Sequence, residues 1–206
     1  MNLAFDKASI ADITVSLQQQ LAPSAQNHAS FETPKMVTST DGHSLALFYD
    51  TVFSNFYPCE IYTEGIKFTC SEQYFMYKKA LFFNDPQTAK KILEAKNPMT
   101  MKLLGRQVKN FDENKWKLVA MQVMKRACYF KFDQNDDLRG ELFKTAGSTL
   151  VEASPTDTIW GVGLGEDDKR ICDVKQWRGR NQLGYLLTAL REELMRVYGI
   201  RHVRAA

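Results

Sequence analysis

Residues 60–81, EIYTEGIKFTCSEQYFMYKKAL, contain the change of period that decides the fold. Up to Thr69 the stretch is rich in aromatic and β-branched residues around Glu64-Gly65, which predicts two short strands joined by a turn. From Ser71 the spacing becomes helical. Ser71 is a good N-cap, and Tyr74, Phe75, Tyr77, Lys78 and Leu81 follow at three- and four-residue steps. Working outward, LALFYD (45–50) predicts a further strand upstream. Downstream, helices are expected at 86–95, 98–107, 113–131 and 135–145, the first opened by Pro86 after Asp85. TLVE (149–152) predicts a strand, and a last helix is expected over 181–198, with Leu183, Leu186, Leu187, Leu190 and Leu194 at helical spacing. The sum is a predominantly α chain with a few short β-strands, an α+β class.

The first 35 residues read differently. Ala8 to Leu21 carries Ile10, Ile13, Leu17 and Leu21 on one helical stripe, and Pro23 then opens the polar stretch SAQNHASFETP. Residues 1–35 are therefore expected to be a helix-and-linker appendage to a core domain spanning 36–206.

Composition excludes several function classes. In 206 residues, 44% hydrophobic and 25% charged is ordinary globular usage. A net charge of +3 is too small to argue nucleic-acid binding by electrostatics alone, but leaves room for a local phosphate pocket. Cys59, Cys70, Cys128 and Cys172 form no C-x-x-C pair and no zinc-type spacing, so no metal is expected. With neither a signal-peptide pattern nor an apolar run of membrane-spanning length, the expected setting is the cytosol or nucleus, without a membrane partner. The three histidines lie outside the segments that carry chemistry, which leaves proton transfer to carboxylates or lysine.

Three segments can carry chemistry. In CSEQYFMYKKA, Glu72 and Lys79 are seven apart and share a helix face, as an acid/base or nucleophile pair, or else as a solvated face. In SPTDTIWGVGLGEDD, Asp157 precedes Trp160, a flat surface for a ring, and Gly161, which permits close ligand approach; a structural glycine loop explains the spacing equally well. In WRGRNQLG, Trp177, Arg178 and Arg180 can hold phosphate at a helix start, or Asn181 can simply cap the helix with the arginines in solvent. Asn55 in FSNFYPCE, and Arg106 and Trp116 in LGRQVKNFDENKW, carry the same ambiguity.

Taken in order, FSNFYPCEI, SEQYFMYKKA, AKKILEAKNPMTMKLLGRQVKNFDENKW, LVEASPTDTIWGVGL and WRGRNQLGYLLTALREEL resemble the NADAR/YbiA-like family over roughly residues 48–196. The combination of the E-[HQ]-Y helix motif with LVEASPxDxIWGxGL is specific. The resemblance implies a compact single-domain YbiA-like fold and hydrolysis of N-glycosidic bonds. Some members act on phosphorylated riboflavin-pathway intermediates, and others remove ADP-ribose from guanine in nucleic acid. It further implies catalytic roles for Glu72, Lys79 and Asp157, and substrate contacts from Asn55, Arg106, Trp116, Trp160, Gly161, Trp177, Arg180 and Asn181. No cofactor is expected. The favoured substrate is ADP-ribosylated guanine in DNA or RNA, taken by a monomer. The alternatives are riboflavin-pathway ribosides and, from another class, a non-catalytic ADP-ribose reader. Gln73 stands where many members carry histidine, and Met76 where many carry glutamine.

Overall fold

A computed structural model describes residues 31–200. The helix expected at 8–21 lies outside the described residues. Along the chain come β1 (Lys35–Thr38), β2 (Ser44–Phe48), β3 (Ile61–Thr63), β4 (Ile66–Phe68), α1 (Ser71–Phe82), α2 (Pro86–Glu94), α3 (Pro98–Arg106), α4 (Glu113–Gln134), α5 (Asp136–Lys144), β5 (Thr149–Glu152), two short 3₁₀ turns and α6 (Gln182–Val197). Nearly every expected element is present, within a few residues of its predicted ends. β1 is an addition, placed at the expected start of the core. No helix among the described residues is long and apolar enough to cross a membrane.

The hairpin read at 60–69 forms as β3–β4, antiparallel, with Thr63 paired to Ile66. Glu64 and Gly65 between them take positive φ values of 54° and 74°, the left-handed geometry that a two-residue turn demands. The other sheet has the order β1-β2-β5. β2 pairs antiparallel with β1 and parallel with β5, Leu45 facing Thr149 and Phe48 facing Glu152.

Core packing follows from this. One face of the sheet, through Ala46, Phe48 and Leu150, joins the inner residues of α1, α4 and α6 in the main core; the other, through Leu45, Leu47 and Val151, packs on Val162, Leu164 and Ile171. β2 is buried from Leu45 to Phe48 because it is the central strand, covered on both faces.

Two helix starts differ from expectation. At α1 the cap is Cys70, whose sulfur accepts from the Gln73 amide at 3.4 Å, and Ser71 is the first helical residue. At α6 Asn181 occupies the cap position but makes no capping hydrogen bond. Its φ of 50° turns the side chain onto β5 instead. Nδ2 donates to the Leu150 carbonyl at 3.0 Å, and Oδ1 accepts from the Glu152 amide at 3.0 Å. A buried amide satisfied at both ends fastens helix to strand.

Candidate active site

Four parts of the chain converge on a cavity of about 220 Å³. The segment after β2 supplies Tyr49, Asp50, Asn55 and Phe56; α1 supplies Glu72, Phe75 and Met76; α3 supplies Met99 and Lys102; the end of β5 and the loop beyond it supply Glu152, Ser154, Asp157 and Trp160.

Glu72 is at the second position of α1 and only 5% exposed. A helix N-terminus favours an anion by up to ~2 kcal/mol, and Lys102, Lys79 and Arg106 act in the same direction. Burial outweighs them all. Desolvation first, and the neighbouring Asp157 next among the opposing effects, push the carboxyl up from 4.5 to about 7. Its Oε1 is buried without a hydrogen-bond partner.

Glu152, at the end of β5, lines the same cavity. Burial, then Asp157, push its carboxyl up to about 8, and its Oε2 is likewise buried and unpartnered. Asp157 is held differently. Its Oδ1 accepts from the amides of Ile159 and Trp160 at 2.9 and 2.8 Å, so this carboxylate folds the loop that presents Trp160. Trp160 meets Phe75 edge to face at 5.6 Å between centroids, and Trp116 lies on the Phe75 ring at 5.2 Å.

The segment bearing Asn55 is fixed from below. The Lys131 ammonium, fully buried, donates to the Ser54 carbonyl at 2.8 Å, while the Asn55 carbonyl accepts from the Glu72 amide at 3.0 Å. Asn55 and Glu72 are thereby locked to each other through the backbone.

Of the residues singled out in the sequence, Glu72, Asp157, Asn55 and Trp160 line the cavity. Lys79 does not line it. Its Nζ donates to the Gly105 carbonyl at 2.8 Å and sits 3.9 Å over the Phe111 ring. Burial lowers its pKa, opposed by Glu72 and assisted by Arg106. Arg106, exposed at the end of α3, is near enough to affect both charges but is outside the lining, and Trp116 stands one ring behind it.

Gly161, Trp177, Arg180 and Asn181 are elsewhere, for a clear physical reason. The segments 158–163 and 178–183 pack backbone on backbone. The amides of Arg178 and Gly179 donate to the Val162 carbonyl, Arg180 to Thr158, Asn181 to Gly161, Gln182 to Ile159 and Leu183 to Trp160, all between 2.9 and 3.2 Å. A Cβ on Gly179 would come within 2.3 Å of the Gly161 carbonyl oxygen, and one on Gly161 within 2.9 Å of the Glu152 oxygen. The glycines serve chain packing. Trp177 donates from Nε1 to the Ile171 carbonyl at 2.8 Å, and Arg180 is exposed.

Sequence reasoning missed Lys102 and Glu152. Lys102 is one lysine among many on a helical stretch. Glu152 closes a four-residue strand, where a polar end residue reads as the solvent side. Gln73 is structural: Oε1 accepts from the Thr69 amide, and Nε2 donates to the Ile92 carbonyl at 3.0 Å. Met76 does line the cavity, its sulfur occupying the space that Gly105 leaves on α3.

Fold and site together define an α+β domain with a pocket walled by aromatic rings and furnished with carboxyl groups, the equipment on which cleavage of glycosidic bonds depends. The chain belongs to the NADAR family, the NADAR domain matching residues 47–195. It is 49% identical to Protein irg-1 of Caenorhabditis elegans over 166 residues, 72% of this chain and 78% of that one. It is 38% identical to N-glycosidase R617 of Acanthamoeba polyphaga mimivirus, covering 69% of this chain and 86% of the viral protein. The solved structure of Escherichia coli YbiA superposes with a TM-score of 0.63 at 32% identity, covering 79% of this chain and 91% of YbiA.

Proposed function

We propose that this protein hydrolyses the bond between a ribosyl C1′ and a base nitrogen. The observation that carries the reading is Glu72, a buried carboxyl in the cavity wall, poised near neutrality, with one oxygen that nothing in the fold engages. Breaking a ribosyl–nitrogen bond develops positive charge on the sugar, so a carboxylate at this place stabilises that charge and takes a proton from attacking water. The relationship to a protein named an N-glycosidase supports the same class.

The substrate proposed is guanine carrying ADP-ribose in nucleic acid. In this reading the cavity takes the reacting ribosyl centre, and the rest of the substrate extends past its mouth. There Lys102 and the exposed Arg106 meet phosphates, and Trp160 or Phe56 stacks on a base. Lys79 offers a second route, attack on the ring-opened sugar to form a Schiff base. Its lowered pKa favours the neutral amine that this route needs, and its Nζ must first leave the Gly105 carbonyl.

The test compares an ADP-ribosylated guanine oligonucleotide with phosphorylated aminopyrimidine ribosides, using wild type, Glu72→Ala and Lys79→Ala. Release of ADP-ribose is expected from wild type, reduced ~10²–10⁴-fold in Glu72→Ala. Cleavage of the ribosides alone would move the protein to metabolite hydrolysis. Binding of ADP-ribose with no cleavage of any riboside would make it a reader and end the enzyme reading. Borohydride trapping decides the route: absence of an adduct on Lys79 removes the Schiff base.

A further inference from the structure

We propose that Glu152 is a second catalytic carboxyl, the acid that protonates the departing base while Glu72 receives the proton of the attacking water. The inference rests on the N-glycosidase reading above and assigns a role to a residue which that reading leaves idle.

The fold positions Glu152 through its backbone alone. Its amide donates to Asn181 Oδ1 at 3.0 Å, its carbonyl accepts from the Val162 amide at 3.0 Å, and its Cα is in register with Phe48. The carboxyl takes no part in this. Other buried or cap-forming carboxylates are satisfied: Asp85 accepts from the amides of Thr88 and Lys109, Glu141 pairs with Lys144, and Asp157 accepts from Ile159 and Trp160. Among the described residues, Glu72 and Glu152 are the two carboxyl side chains with a buried oxygen that nothing meets, and both line the same cavity. A buried acid without a partner costs the fold stability and contributes no contact, so its proton is available to a ligand.

The surrounding charges divide the labour. Three cations act on Glu72, Lys102 on α3, Lys79 on α1 and Arg106 at the end of α3, and Asp157 opposes them. At Glu152 the acids Asp157 and Glu72 raise the carboxyl further, opposed by Lys102. From the other elements Asp50 and Tyr49 line the cavity, and the Cys128 thiol of α4 is close enough to respond to Glu152. Burial raises both carboxyls, and with the cations gathered on the Glu72 side the proton shared by the pair is assigned to Glu152. Two carboxyls pushed apart in this way are an acid and a base.

The step balances without a further reagent. Water oxygen bonds to C1′, and its proton passes to the Glu72 carboxylate. The C1′–N bond breaks, its electron pair goes to the base nitrogen, and that nitrogen takes the proton from Glu152. Proton exchange with solvent resets both groups.

The experiment measures kcat and KM from about pH 5 to 9 for wild type, Glu152→Gln and Glu152→Asp, on the ribosylated base that wild type cleaves. In parallel, ¹³C-carboxyl NMR follows the glutamates of the wild-type protein, with Glu152 assigned from the signal missing in Glu152→Gln. Glu152→Gln is expected to lower kcat ~100-fold with KM within about threefold, and to abolish the alkaline fall in rate. Glu152→Asp, with the carboxyl kept, is expected to retain part of kcat and a pH limb. The wild-type Glu152 signal should titrate above about pH 7. An active wild type whose Glu152→Gln variant keeps kcat and the alkaline limb, or a Glu152 carboxyl titrating at about 4–5, overturns this inference and leaves the N-glycosidase reading standing. A wild type inert on every riboside fails the reading itself, and this inference with it. If Glu152→Gln does not fold, the Glu152→Asp profile and a ¹³C assignment made with that variant separate the same outcomes.

Discussion

Burial couples the protonation of Glu72 and Glu152 to stability, because the folded chain holds both more comfortably as neutral acids than the unfolded chain does. A carboxyl whose pKa rises on folding contributes stability that is complete below about 4.5 and is lost as pH climbs through its folded value. Here that loss runs from about 4.5 up to 7 and 8. Asp85 and Asp168, lowered to about 2 by amide hydrogen bonds and by the Arg170 partner respectively, act in the opposite sense, and their contribution is lost only below about 4. Through Glu72 and Glu152 the ligand-free protein is therefore expected to lose stability as pH rises from about 4.5 towards 8. Glu72→Gln should flatten that fall and stabilise the protein at pH 8 by on the order of 2 kcal/mol, while lowering hydrolysis as Glu72→Ala does. A midpoint that rises between about pH 5 and 8, or a Glu72→Gln variant less stable than wild type at the alkaline end, would contradict the burial described for Glu72. Of this chemistry the sequence shows Glu72, through its place in the first turn of a helix that begins after an aromatic strand pair. It does not show Glu152, because burial of a strand-terminal side chain depends on what crosses above it, and α1 and α3 come from elsewhere in the chain.

At the scale of elements, the backbone zipper between 158–163 and 178–183 explains why two glycine- and tryptophan-rich segments, both legible in the sequence, have different roles. Only the first reaches the cavity; the second supports it from behind. Glycine spacing alone does not separate ligand approach from chain approach, since either leaves the same absent Cβ. Asn181 shows the same limit: asparagine before a helix reads as a cap, and only the neighbouring β5 carbonyl makes it a clasp instead. Helices, in contrast, carry local signals: Pro86 after Asp85 is read from the sequence, and Pro98 at a first turn with Asn97 and Asp112 as caps are signals of the same kind that the structure brings out. Two substitutions test the zipper. Gly179→Ala forces a carbon against the Gly161 oxygen and is expected to destabilise by about 2–4 kcal/mol. Asn181→Ala leaves the Leu150 carbonyl and Glu152 amide less well satisfied, at a cost of about 2–3 kcal/mol. Both should lower the denaturation midpoint in urea with the slope unchanged. Because Glu152 hangs from the same clasp, Asn181→Ala should also reduce kcat. A Gly179→Ala protein as stable as wild type would mean that the two segments are not in backbone contact.

For the whole molecule, the decisive feature is the parallel pairing of β2 with β5, which joins residues about one hundred positions apart and brings the end of each strand to the cavity. Neither strand's composition announces its partner, and a four-residue strand carries too little pattern to fix a register. That long-range closure was the least legible part of the fold, though every helix it encloses was visible. It also sets the minimum unit. The cavity lining runs from Tyr49 to Trp160, and the two buried core clusters draw on Leu45 to Leu194, with Val37 and Phe31 packed at their edges. A protein beginning at Phe31 keeps the β1 partner of β2 and every lining residue, so it is expected to fold, to shift the thermal midpoint by less than about 3 °C, and to retain kcat within about twofold. Melting curves and substrate turnover of the shortened and full-length proteins, measured side by side, decide the point. A shortened protein that folds but loses turnover would show that the residues before Phe31 take part in the reaction cycle; one that fails to fold would mean the core beginning at Phe31 is not self-sufficient.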